Sequence, residues 1–248
     1  MSIKIKEYKA PNLKMQRFVV DSCLDERLNS FGGIHELINK SNFILGLGKP
    51  GSGKSSLCTG LLGTGVKAGG LKKVFHRVYV FIPPSSRNSM KDDFWNKSIP
   101  PNQIYDDLTL ESLEEVYDIC KSNAEEDMNS LIVLDDVQKN LKQKEVQKLF
   151  LNIVNNRRHS RVSIFLLAQN YFSIPKMVRS GLTDLFVFKA SKKEMEQIFD
   201  ECYESHKDKF LDILEHCFKK PHDFLYINTN SQRIFSNWDE IIISNEDI

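Results

Sequence analysis

Residues 43–62 read FILGLGKPGSGKSSLCTGLL, and this stretch decides the fold. Positions 43–47 are an apolar run of strand length, and positions 56–62 open as a helix. Between them Gly48-Lys49-Pro50-Gly51-Ser52-Gly53-Lys54-Ser55 is too rich in glycine to be either element. Glycines let successive backbone N–H groups turn inward, and a new helix adds unsatisfied donors and the positive end of its dipole. Strand, glycine loop and helix start together form a cradle for phosphate, with Ser56 as its last member. Lys54 is expected to reach the β- and γ-phosphate oxygens and the Ser55 hydroxyl to take a position on Mg²⁺. A loop that merely turns the chain is the bland alternative, and the strand–loop–helix setting disfavours it.

A triphosphate site also needs a carboxylate for the metal. The apolar run 131–134 ends in Asp135 and Asp136, where a buried strand of an open α/β sheet presents its ligands. Asp135 is expected to hold Mg²⁺ through water, and Asp136 to orient or deprotonate an attacking water. A pair of aspartates after a strand is often only a turn; the phosphate loop gives this pair its metal role. The run 163–168 ends in Gln169, which stands where a polar strand tip senses the γ-phosphate. The guanine-reading Asn-Lys-x-Asp pattern is missing, since both Asn39-Lys40-Ser41-Asn42 and Asn96-Lys97-Ser98-Ile99 lack the aspartate, so ATP is the expected nucleotide.

Outward from these motifs the chain alternates short and long periods. Runs at 43–47, 78–82, 131–134, 163–168 and 185–188 have the length of strands buried on both faces. Leu110, Leu113, Val116, Tyr117 and Cys120 share one helical face, as do Val146, Leu149, Phe150, Ile153 and Val154. Ser191 and Glu194 make a capping box ahead of Met195, Ile198, Phe199 and Cys202. Such alternation predicts an α/β fold of the P-loop NTPase class, a mostly parallel sheet with helices on both faces. The strand at 78–82 is additional, falling between the phosphate-loop strand and the acidic strand. A helix at 210–218 and a hairpin turning at 228–231 close the chain. Residues 1–40 are polar and weakly patterned and read as an extension packing on the core domain 41–248.

The net charge of +1 excludes a protein that is basic all over, so nucleic acid would have to meet a local patch. Lys67, Lys72, Lys73 and Arg77 form one such cluster and Lys139, Lys142, Lys144 and Lys148 another, although runs of charge are commonly no more than a solvated face. Five scattered cysteines without a CxxC pair fit a reducing interior. Neither a signal peptide nor a membrane-length apolar run is present, and the chain reads as soluble.

Around Asn156-Arg157-Arg158-His159, through 163–169 and on to Ile174-Pro175-Lys176-Met177-Val178-Arg179, the sequence resembles the DNA-packaging ATPases of nucleocytoplasmic large DNA viruses and virophages, the poxvirus type included. These are members of the FtsK-HerA superfamily of ring-forming DNA pumps. The resemblance covers residues from about 42 to 190. It implies a motor that hydrolyses ATP to drive double-stranded DNA into a preformed capsid, as a pentameric or hexameric ring docked on a capsid or portal-vertex protein. It further implies a place in the host cytoplasm, at the viral factory, and in the virion. Two positions depart from the family's pattern: Asp136 stands where glutamate is usual, shortening the reach of the base, and Gly181 stands where asparagine is common. Arg158, after the helix 146–154, is the preferred finger toward a neighbour's γ-phosphate, and Arg179 is the competitor. Arg157 and Arg161 read as solvated helix-end cations. From other classes, a nucleotide or nucleoside kinase, or a nucleotide-binding virion scaffold without turnover, remain the rival readings.

Overall fold

The computed structural model describes residues 2–6, 41–90, 93–203 and 209–244. Among them ten strands form one sheet: β1 (Ser2–Lys6), β2 (Phe43–Leu47), β3 (Arg77–Phe81), β4 (Ile104–Tyr105), β5 (Ser130–Asp135), β6 (Val162–Ala168), β7 (Asp184–Phe188), β8 (Phe224–Asn228), β9 (Arg233–Ser236) and β10 (Asp239–Ser244). Eight helices connect them: α1 (Lys54–Gly63), α2 (Pro84–Asn88), α3 (Phe94–Ser98), α4 (Leu110–Glu125), α5 (Lys144–Asn156), α6 (Lys176–Arg179), α7 (Lys192–Cys202) and α8 (Phe210–Cys217).

Strands that are apolar at every position need cover on both faces, and here they have it. Phe43, Leu45 and Leu47 point into a layer with Val146, Phe150 and Ile153 of α5 and Leu113 and Val116 of α4. Ile44 points the other way, with Leu57 and Leu61 of α1 and Phe94 and Trp95 of α3. Alternate residues of β6 divide likewise, Ile164 and Leu166 to the first layer and Phe165 and Leu167 to the second. The α5 ring of Phe150 meets Phe43 edge-on at 5.8 Å, and removing such a fully buried ring would cost about 3–5 kcal/mol. The helix starts follow local chemistry. Glu194 N donates to Ser191 Oγ at 3.3 Å and Ser191 N donates back to Glu194 Oε2 at 3.2 Å, the expected capping box. A second box, between Thr109 and Ser112, starts α4.

Across the sheet the order is β1-β10-β9-β8-β7-β2-β6-β5-β3-β4. The segment from β7 to β4 is parallel, and β8, β9, β10 and β1 extend it antiparallel. The fold is thus the expected one, with the β8–β9 hairpin in place. β3 precedes β5 in the chain but lies on its far side in the sheet; the strand wedged between β2 and β5 is β6. β4 and β10 are strands that the sequence pattern did not announce. Of the expected N-terminal extension, β1 joins the sheet edge beside β10, while residues 7–40 lie outside the described residues.

A buried carboxylate ties the parallel and antiparallel parts together. Asp184 Oδ2 accepts from Thr183 Oγ1 at 2.7 Å, and its Oδ1 accepts from Tyr226 OH at 2.7 Å and Asn228 Nδ2 at 2.8 Å. Burial pushes its pKa up to about 6, against the pull of those three donors.

Candidate active site

The carboxyl ends of β2, β6, β5 and β3 stand side by side, and each carries a polar group. After β2 the backbone keeps one more ladder bond, Gly48 N to Ala168 O at 3.1 Å, and then curls. A Cβ at Gly48 would lie 2.6 Å from Ser52 Oγ and 2.8 Å from Phe188 Cβ, so only glycine fits. Gly53, at φ 106°, caps α1 in a left-handed conformation that aims the first turn of the helix into the loop. Lys49, Pro50 and Gly51 form the exposed rim, whereas Lys54 is buried. The Lys54 ammonium donates to the Lys49 carbonyl at 3.1 Å. Burial lowers its pKa, and the charges of Asp135 and Asp136 push the other way. The Ser52 and Ser56 hydroxyl oxygens are buried and have no hydrogen-bond partner among the described residues.

Ser55 Oγ donates to Asp135 Oδ2 at 2.8 Å, joining the start of α1 to the tip of β5. Asp135 is 2% exposed. Burial first and the charge of Asp136 second push its pKa up to about 7, and Ser55 and Lys54 act against them. A hydroxyl and a buried carboxylate converging in this way are a hard, all-oxygen donor set short of positive charge, which suits Mg²⁺.

Asp136 turns the chain at φ 57°, a left-handed conformation that aspartate tolerates better than most residues with a side chain. Its Oδ1 accepts from Gln169 Nε2 at 3.1 Å and its Oδ2 from Ser86 Oγ at 2.9 Å. Lys54, Ser55, Asp135, Asp136, Gln169 and Ser86 all line one cleft of about 180 Å³, together with Gly51 and Gly53 of the loop. Ser86 was not among the residues singled out from sequence. The rule that strand tips carry the ligands, applied to β3, points to the segment in which it lies. Nor does the sequence pattern foretell the place of His222, whose Nδ1 lies 3.1 Å from the Ser52 carbonyl of the glycine loop.

The arginines fall elsewhere. Arg158 is exposed on the turn from α5 to β6, at the amino edge of the parallel strands. The seven residues of β6 separate it by roughly 20 Å from the cleft of its own subunit. Its neighbours are engaged: Arg157 Nε donates to Ser41 O at 3.0 Å, and Arg161 pairs with Asp127 at 2.7 Å. Arg179 is brought neither to the cleft nor to the surface. Its guanidinium makes two bonds to Glu201, at 3.0 and 2.9 Å, donates to the carbonyls of Tyr171 and Ile174, and stacks 4.4 Å above the Tyr171 ring. The two lysine clusters lie on opposite edges of the sheet. Lys72 and Lys73 precede β3 and Arg77 opens it at the amino edge, and Lys139, Lys142 and Lys144 follow Asp136 at the carboxyl edge, all of them exposed.

The fold is similar to that of B204, the DNA-packaging ATPase of Sulfolobus Turreted Icosahedral Virus, with a TM-score of 0.59 at 16% identity over 84% of this chain and 100% of that one. It is equally similar to the genome packaging NTPase B204 of Sulfolobus turreted icosahedral virus 2 in complex with AMPPCP (0.59, 16%, 84% and 100%) and similar to the same enzyme in complex with ATP-gammaS (0.56, 16%, 80% and 97%). Identity at this level speaks for the fold. No curated protein matches the chain. No helix among the described residues is long and apolar enough to cross a membrane. The family described as Poxvirus A32 protein matches residues 34–246, which take in the phosphate loop, the acidic strand and the glutamine strand, and the chain belongs to that family.

Proposed function

We propose that this chain is an ATP-hydrolysing motor that moves double-stranded DNA into a capsid, working as a homo-oligomeric ring docked on a capsid or portal-vertex protein, in the host cytoplasm at the viral factory and in the virion. One observation carries the hydrolase part: Ser55 and Asp135 meet at 2.8 Å in the cleft where Gln169 holds Asp136. A kinase has no use for adjacent carboxylates beside a sensor glutamine, and a scaffold without turnover has no use for a positioned base. The packaging part is supported by membership of the Poxvirus A32 family and by likeness to B204, itself a DNA-packaging ATPase.

The residues divide the work. The loop amides between residues 49 and 56, apart from Pro50, which has none, and Ser52, whose N–H goes to the Lys49 carbonyl, bind the β- and γ-phosphates together with the Lys54 ammonium, in a cleft where burial strengthens each contact. Ser55 and Asp135 would hold Mg²⁺, which when bound would offset the charge of the phosphates. Asp136 orients the attacking water. As the water oxygen bonds to the γ-phosphorus, its proton passes to Asp136; the bond from phosphorus to the bridging oxygen breaks, and that electron pair leaves with ADP. Gln169 at the tip of β6 keeps Asp136 in line and senses whether the γ-phosphate is present. Arg158 enters a neighbour's cleft and stabilises the charge that develops there. Exposed lysines after Asp136 meet DNA phosphates, several subunits each supplying one or two contacts.

Phosphate release measured with and without double-stranded DNA tests the proposal, together with the particle mass in the presence of an ATP analogue and DNA. The expected result is DNA-stimulated release by an oligomer. Phosphate transfer to a nucleoside, nucleotide binding without turnover, or a strict monomer under all conditions would each overturn it.

A further inference from the structure

Asp136 is gripped from two directions. Gln169, which holds Oδ1, stands at the tip of β6, and Ser86, which holds Oδ2, stands beyond the tip of β3, with β5 between them. An aspartate side chain has only two torsions, and donors on opposite oxygens leave it one orientation. Each oxygen keeps a further lone pair, so the carboxylate is aimed without being blocked.

Ser86 is itself fixed, and not by packing. α2 buries no side chain. What anchors it is polar: Ser86 N donates to Pro83 O at 3.0 Å, Arg87 pairs with Asp106 at 3.1 Å, and Ser89 Oγ donates to the Ser86 carbonyl at 2.7 Å. A solvent-side helix of five residues, shaped by its own turn bonds, tied to the chain beyond it by Arg87–Asp106 and delivering a hydroxyl to Asp136, has no evident purpose in the core.

We propose that Ser86 is a positioning residue for ATP hydrolysis: it holds Oδ2 of Asp136 so that the carboxylate faces the water attacking the γ-phosphate. The proposal rests on the reading of Asp136 as the base. A hydrogen bond to a charged group is strong enough that losing this one lowers turnover by about 10- to 100-fold. Nucleotide affinity is untouched, because Ser86 supports the base and does not hold the phosphates.

The test uses the full chain carrying Ser86→Ala, Ser86→Thr, Asp136→Asn, or Ser86→Ala with Asp136→Asn. Initial rates over an ATP series are read beside binding of a fluorescent ATP analogue. Ser86→Ala is expected to lower kcat by about 10- to 100-fold with KM and analogue affinity within about twofold of the parent. Ser86→Thr, which keeps the hydroxyl, restores most of kcat, and Ser86→Ala costs nothing further when Asp136 is already asparagine. Parental kcat in Ser86→Ala, or a loss of analogue affinity equal to the loss of rate, overturns the proposal while leaving Asp136 as the base. Parental kcat in Asp136→Asn overturns the reading beneath it.

Discussion

Arg158→Ala is the sharpest test of how subunits cooperate. The side chain stands at the amino edge of β6, roughly 20 Å from the cleft of its own subunit, beyond what any arginine can span. If Arg158 acts, it acts on a neighbour. A finger of this kind supplies about 10³- to 10⁵-fold in rate, roughly 4–7 kcal/mol of transition-state stabilisation. Arg158→Ala protein should therefore bind ATP normally and turn over almost none. Lys54→Ala protein is equally inactive, for want of a working phosphate site, yet it still presents Arg158. Mixed before assembly, the two complement: each interface that joins an intact site on one subunit to an intact arginine on the next is competent. With random placement around a ring, such interfaces reach about one quarter of the total at equal mixing, so phosphate release should peak there at up to about a quarter of the parental rate. Mixtures as inactive as their components at every ratio would refute Arg158 as a finger acting in trans.

Other outcomes follow from the same geometry. Lys54→Ala removes a preorganised charge from the cleft and should lower kcat by about 3–4 kcal/mol of barrier, read as phosphate release under saturating ATP; near-parental turnover would refute its role. Arg179→Ala leaves Glu201 with only the Tyr171 hydroxyl and the Gln197 amide as donors and no cation, and should cost about 3 kcal/mol of stability, a fall in Tm of roughly 10 °C by calorimetry. An unchanged Tm with lost turnover would instead return Arg179 to the catalytic site. Because burial raises Asp184 from 3.8 to about 6, the folded chain holds more protons than the unfolded one between those values. Stability should fall as pH rises through that window, by up to about 3 kcal/mol. Asp184→Asn deletes the titration, so its Tm relative to the parent should improve from pH 4 to pH 7, and a difference independent of pH would count against the assignment.

The parallel core was legible because its strands are covered on both faces. Runs such as 131–134 and 163–168 leave no polar position to confuse with a loop, and the structure lengthens them by a residue at one or both ends. The phosphate loop was legible for a different reason, since its glycines answer to local backbone demands. What escaped depends on neighbours distant in sequence. Ile104–Tyr105 is a strand only because β3 lies beside it, and Asp239–Ser244 opens with two charges that break the apolar pattern. Ser86 sits in a polar stretch without period, and its partner Asp136 is fifty residues away. Arg179 looked available because Glu201, which claims it, lies on another helix. The arrangement of Ser55, Asp135, Asp136 and Gln169 could be named residue by residue from their motifs; the way Asp136 is held between two strand tips could not.

Of the ten strands, β1 leaves the ribosome first and has a single place to go, the outer edge of β10, which is made last. Native assembly of that edge brings residues 2–6 against residues 240–244, and closing so long a loop makes it a late event. Until β1 docks, Ile241, Ile242 and Ile243 carry an open row of backbone donors and acceptors, the point at which two copies would most readily zip together.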